Sequence, residues 1–134
     1  MGSSYPNDVG VLPGLGATVD LTVKEGDTAE ALRSGDVPML ATPRVVALAE
    51  EATVAALAGH LESKATTVGQ RVQLDHLLPI PVGESVRAEA RLESVEGRRL
   101  VFTVSVNSDR GLVAVGKITR VIVNRDRFIQ KTNE

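Results

Sequence analysis

Apolar side chains recur along this chain with two different periods, and the change of period divides the chain into elements. Residues 17–23 alternate between apolar and polar side chains, which predicts a first β-strand. From Pro43 the apolar positions follow the helical period instead, and no glycine occurs before Gly59. This spacing predicts a helix of about five turns, with Thr42 as its N-cap and Pro43 at its first helical position.

The remainder of the chain alternates again and predicts four more strands. They span residues 66–80, 84–92, 100–106 and 112–123. In the first of these four, the alternation puts His76 on the apolar face and Gly69 on the opposite one. Polar and glycine-containing segments between the strands are typical of tight turns. An antiparallel sheet with one long apolar helix must wrap around that helix to bury it, so we predict an α+β fold.

Composition then excludes several classes of protein. The 134 residues fit one domain with a core of its own. The chain contains no cysteine, which excludes a thiol nucleophile, a disulfide framework and a cysteine-based metal site. Acidic and basic residues are interspersed to a net charge of −2, which argues against nucleic-acid binding. No apolar run approaches the length of a membrane span, and we expect a cytoplasmic protein.

Three side chains capable of chemistry are directed toward the same interior. Thr42 opens the long helix, Glu50 lies at the margin of its apolar face, and His76 lies on the apolar face of the next strand. Buried polar groups are costly without partners, so three converging ones indicate either a structural network or a site. Taken alone, each residue also has a purely structural interpretation: Thr42 as a helix cap, Glu50 as a carboxylate that reaches solvent, and His76 as an imidazole of the core. Two distant histidines, His60 and His76, make no metal ligand set.

The helical rise separates two of these three side chains. Thr42 and Glu50 are eight residues apart, which corresponds to about 12 Å along the helix axis, so they cannot form a tight pair on one helix. We therefore expect Glu50 and His76 to be the working pair, or residues of one subunit to meet those of a partner across a dimer. Without cysteine, the nucleophile of a hydrolase would be water, Thr42 or Glu50.

The order of strand, long helix and antiparallel strands is similar to the hotdog fold. Five local segments carry a further resemblance; in order they are residues 37–43 with Glu50, 66–70, Asp75-His76, 95–100 and 116–121. Together they resemble the fluoroacetyl-CoA thioesterase family and its wider group of small acyl-CoA thioesterases. On this resemblance we place a hotdog thioesterase domain at residues 15–128, between a loosely ordered N-terminal segment, 1–14, and a C-terminal tail, 129–134.

The resemblance implies a homodimer of hotdog subunits that hydrolyses an acyl-CoA thioester at a site near the subunit interface. No cofactor is implied, because CoA is part of the substrate. Catalysis is implied for Thr42, Glu50 and His76. The resemblance also implies that the Gly69 N–H helps to hold the thioester carbonyl, and that Arg120 lies near the site and the subunit contact.

One segment departs from the family. The fluoroacetyl-specific enzyme carries aromatic residues just before the helix as a lid over the acyl pocket, whereas residues 32–38 here contain no phenylalanine. We therefore expect a general thioesterase for short-to-medium acyl-CoA. The alternatives are a non-enzymatic acyl-CoA-binding hotdog module and a hotdog hydratase or dehydratase. The adjacent Asp75 and His76 point to opposite faces of a strand, which weakens the hydratase interpretation.

Overall fold

One antiparallel sheet carries the fold of the computed structural model, which describes residues 10–132. The sheet order is β1-β3-β4-β5-β2, and all neighbouring strands are antiparallel. The edges of the sheet are therefore β1 and β2, and β2 carries His76. The predicted antiparallel sheet is confirmed; its strands are β1 (Gly16–Thr22), β2 (Ala65–His76), β3 (Ser85–Glu96), β4 (Arg99–Ser108) and β5 (Gly111–Asn124).

Three α-helices accompany the sheet in the described part of the chain: α1 (Ala29–Leu32), α2 (Thr42–Ala56) and α3 (Arg125–Lys131). The long helix α2 packs mainly against β1 and β3. Its apolar face and the inward residues of β3, β4 and β5 form one core, in which Phe102 is the largest fully buried side chain. Because few large side chains are available, valine, leucine and alanine fill most of this core. The predicted α+β arrangement, a sheet around one long helix, is confirmed.

The first turn of α2 differs from the prediction. Ala41 is the N-cap and offers no side-chain hydrogen bond, while Thr42 and Pro43 already belong to the helix. The cap prediction for Thr42 is wrong because its hydroxyl is engaged with the ring of His76, 2.8 Å away. The helix ends at Ala56, earlier than predicted, and has 15 residues.

A β-bulge in β2 determines which side chains share the inner face. The register against β5 shifts after Gly69, which leaves Gln70 as an extra residue. Gly69 pairs with the buried Arg120, and His76 pairs with the buried Ala114. Since paired residues point to the same side of a sheet, Gly69 and His76 both face the helix. The prediction of opposite faces is wrong because one extra residue reverses a period of two.

The structure describes residues 10–132 and not the two ends of the chain. Residues 1–9 and 133–134 lie outside the described residues, so the domain boundaries at 14/15 and 128/129 stay predictions. Helix α3 extends across the predicted boundary at 128/129 into the segment expected to be a tail, and the Asn124 side chain caps it by accepting a hydrogen bond from the Arg127 N–H. Between residues 10 and 132, no helix combines the length and the apolar character of a membrane span.

Candidate active site

A hydroxyl–imidazole pair lies where the start of α2 meets the end of β2. Thr42 Oγ1 and His76 Nδ1 are 2.8 Å apart, a hydrogen bond in which the hydroxyl donates when Nδ1 is unprotonated. Thr42 is brought there by the first helical turn, and His76 by the last residue of the edge strand. The structure thus joins two of the predicted residues across 34 positions of sequence.

The other ring nitrogen of His76 is buried. Nε2 has no hydrogen-bond partner among the residues that the structure describes. Burial lowers the pKa of His76 below its ordinary value, and the nearby Leu78 backbone opposes that shift more weakly. The imidazole is therefore predominantly neutral at neutral pH, which is the form that accepts a proton.

A second cluster forms two turns further along α2, around the carboxylate of Glu50. Arg120 Nη1 is 3.3 Å from Glu50 Oε2, and the arginine is 7% exposed. A Cβ at position 69 would stand 2.5 Å from the same carboxylate oxygen, so any side chain there would displace the carboxylate from this position. Burial lowers the pKa of Arg120, and Glu50 opposes that shift. Gly69 thus allows the Glu50 carboxylate to lie directly against the edge strand.

The predicted residues form two pairs in one chain rather than one triad. Thr42 and Glu50 are separated by about 12 Å along α2. Gly69 and His76 are seven positions apart on β2, about 20 Å of strand. Within residues 10–132, the Glu50 carboxylate bonds to Arg120 and the His76 ring bonds to Thr42, so the expected Glu50–His76 pair does not form inside one chain.

Thr67 belongs to the second cluster and was missed as a site residue. Its hydroxyl accepts a hydrogen bond from Arg120 Nε at 2.9 Å, and its carbonyl accepts one from Nη2 at 3.1 Å. Thr67 lies in the segment 66–70 that carries the family resemblance. Strict alternation gives Thr67 the same face as Gly69, which was predicted to be opposite to the apolar one, and only the bulge at Gln70 reveals that this face is the inner one.

A cavity of about 390 Å³ opens beside the Thr42–His76 pair. Its walls come from residues 34–37, 39–42 and 76–79 together with Ala29, and are mostly apolar. Asp36 and Val37, from the segment where the family resemblance predicts aromatic residues, line it as well. A larger cavity of about 760 Å³ lies on the sheet and includes none of the predicted site residues. The smaller cavity is therefore the candidate acyl site.

Solved structures share this fold over almost the whole chain. A structure of the fluoroacetyl-CoA thioesterase FlK has a TM-score of 0.85 at 30% identity, covering 92% of this chain and 96% of that one. A hypothetical protein of Thermus thermophilus, a thioesterase superfamily member, has a TM-score of 0.84 at 27% identity, covering 92% and 91%. The fold and its similarity to these thioesterases define a hotdog-fold thioesterase, as predicted.

Sequence comparison identifies the family within this class. A family model described as fluoroacetyl-CoA-specific thioesterase matches residues 23–126. The fluoroacetyl-CoA thioesterase of Streptantibioticus cattleyicolor is 32% identical over 96 residues, which are 72% of this chain and 69% of that protein. The chain belongs to the fluoroacetyl-CoA-specific thioesterase family, and the predicted enzyme class, a thioester hydrolase, is confirmed.

Proposed function

We propose that this protein hydrolyses short-to-medium acyl-CoA thioesters to CoA and a carboxylic acid. The observation that carries the proposal is the 2.8 Å contact of Thr42 with a neutral His76 at the wall of an apolar cavity of about 390 Å³. Acyl-CoA is also bound by a relative, since an FlK variant has been solved in complex with acetyl-CoA. CoA is part of the substrate, and the proposed reaction uses no cofactor. A cytoplasmic location is part of the proposal.

The proposed chemistry needs a base, a nucleophile and a group that stabilises developing charge. The nucleophile is the Thr42 hydroxyl or a water held beside it, and Nδ1 of His76 takes its proton as it adds to the thioester carbonyl. The same proton then passes to the CoA sulfur as the carbon–sulfur bond breaks. Attack by water gives the carboxylic acid directly, whereas attack by Thr42 gives an acyl-Thr42 ester; a water then hydrolyses this ester as His76 Nδ1 takes its proton and returns it to the Thr42 oxygen. The N–H of Gly69 is proposed to hold the carbonyl oxygen, in keeping with a residue that has no side chain to obstruct substrate.

The proposal includes a homodimer whose site combines residues from two subunits. β2 is an edge strand, and its inner face carries the Glu50 cluster near one end and His76 at the other. If the extra residue Gln70 is not counted, Gly69 and His76 each lie three positions from Gln73. Antiparallel pairing of two copies of β2 about Gln73 would bring Gly69 of one subunit opposite His76 of its partner. Glu50 and Arg120 of one subunit would then complete the Thr42–His76 site of the other.

A turnover assay over acyl-CoA chain lengths tests the proposed function directly. Thiol release is expected from short-to-medium acyl-CoA, and we expect fluoroacetyl-CoA to have no advantage over acetyl-CoA, because residues 32–38 contain no aromatic side chain. Release no faster than background from every substrate, with a folded dimer in hand, would overturn the proposal. Saturable acyl-CoA binding without turnover would instead identify an acyl-CoA-binding module.

The pH dependence of turnover provides a second test. If His76 is the base, activity falls as the pH drops through its pKa in the folded protein, because the protonated ring cannot accept a proton. Burial holds the pKa below the ordinary value of 6.5, so the acid limb of kcat/KM is expected to have its midpoint below pH 6.5. His60→Gln, at the exposed second histidine, is expected to leave that limb in place. A wild-type midpoint above the ordinary value would contradict the assignment.

A further inference from the structure

The guanidinium of Arg120 is held along one edge by a single residue. Its Nε and Nη2 atoms donate to the hydroxyl and the carbonyl of Thr67, at 2.9 and 3.1 Å. Its remaining nitrogen, Nη1, donates to Glu50 Oε2 at 3.3 Å. Since a guanidinium is planar and rigid, fixing one edge fixes the direction in which the third nitrogen points. Thr67 therefore determines where Arg120 can hold the carboxylate.

The fold gives Glu50 little other support for its position. The Glu50 side chain is 35% exposed, in contrast to 9% for that of Arg120, so the buried arginine is the fixed member of the pair. Gly69, which the carboxylate lies against, has no side chain with which to hold it. A long side chain that is one-third exposed has several rotamers, and the contact with Arg120 selects one of them.

We propose that Thr67 is a positioning residue for the hydrolysis, acting on Glu50 through Arg120. The proposal rests on the function proposed above, in which Glu50 takes part in catalysis. Thr67 suits this task because a β-branched side chain has a restricted χ1 angle, which keeps its hydroxyl in place beside its own carbonyl. The bulge at Gln70 puts this hydroxyl on the inner face, two residues before Gly69.

Two substitutions at Thr67 separate the hydroxyl from the shape of the side chain. Thr67→Val keeps the shape and removes the acceptor for Arg120 Nε; Thr67→Ser restores the acceptor. We expect Thr67→Val to lower kcat about tenfold or more with KM nearly unchanged, because misplacing a catalytic group costs rate rather than affinity. Thr67→Ser is expected to recover most of that loss. Thr66→Val is the matched control, since Thr66 is the preceding residue on the same strand and faces the other way.

A double variant tests whether the effect passes through Glu50. In a Glu50→Ala background, Thr67→Val is expected to cause no further loss of kcat. A further tenfold loss in that background, or a wild-type kcat in Thr67→Val when Glu50→Ala is slow, would overturn the proposal. Unchanged turnover in Glu50→Ala alone would overturn the role of Glu50 and with it the role of Thr67. The wild-type turnover assay reports on hydrolysis itself independently of all these variants.

Hydrogen exchange at Arg120 tests the arrangement without any change at Thr67. The Nε–H of Arg120, assigned by its loss in Arg120→Lys, is expected to exchange slowly in the wild-type protein, because it is buried and bonded to Thr67. Exchange as fast as that of an exposed arginine would overturn the proposal, even if Thr67→Val did not fold. Slow exchange in the wild type and in Thr67→Ser, with fast exchange in folded Thr67→Val, would support it.

Discussion

Replacing His76 with alanine is expected to lower kcat for acyl-CoA hydrolysis by about 10²–10⁴-fold, the usual contribution of a general base. The imidazole is the group in contact with the Thr42 hydroxyl, and its Nδ1 is 2.8 Å from that oxygen. Alanine leaves the nucleophile without an acceptor for its proton and leaves the departing CoA sulfur without a donor. Steady-state kinetics on the best substrate of the acyl-CoA series measure the loss.

The matched control for this variant is His60→Ala, which removes the only other histidine, an exposed one, and should retain wild-type kcat. Thermal unfolding shows whether His76→Ala is folded. The variant removes a half-buried ring whose Nε2 has no partner in the described structure, so we expect little loss of stability. A folded His76→Ala variant that retains kcat within a factor of about three would exclude general-base catalysis by this residue.

Much of the fold could be predicted from short-range patterns. The strands follow from alternation, and the long helix from its period and from the lack of glycine before Gly59. Thr42, Glu50 and His76 were singled out as polar groups at or near apolar faces, and the structure engages all three in hydrogen bonds or ion pairs. These inferences need only a residue and its neighbours in sequence.

The partners of these residues could not be predicted in the same way. Arg120 and Glu50 are 70 positions apart, and no local pattern links them. The bulge at Gln70 is a single extra residue, which a period of two does not reveal, yet it decides that Gly69 and His76 face the same side. Thr42 satisfies every local rule for an N-cap, but a tertiary contact takes its hydroxyl instead. At the candidate site, the tertiary contact with His76 therefore overrides the local preference of Thr42 for the N-cap position.

Mixing two inactive variants, Thr42→Ala and Glu50→Ala, is expected to restore about one quarter of wild-type activity if the site combines two subunits. Random exchange makes about half of the dimers mixed. In a mixed dimer, one site receives Thr42 from the Glu50→Ala chain and Glu50 from the Thr42→Ala chain, and is intact. The other site lacks both groups. Each variant alone contains only defective sites, so the recovery is large against a low background.

The outcome distinguishes a site built within one chain from a site built from two subunits. Within one chain, Thr42 and Glu50 are about 12 Å apart along the helix. If Thr42 and Glu50 worked within one chain, every site in a mixed dimer would lack one of them, and mixing would restore nothing. Two different affinity tags on the variants allow mixed dimers to be isolated and assayed directly. The double variant Thr42→Ala/Glu50→Ala, mixed with either single variant, is the control and should restore no activity. Recovery in the first mixture alone would require Glu50 to act on the Thr42–His76 pair of the partner subunit, because no other assignment leaves one site intact.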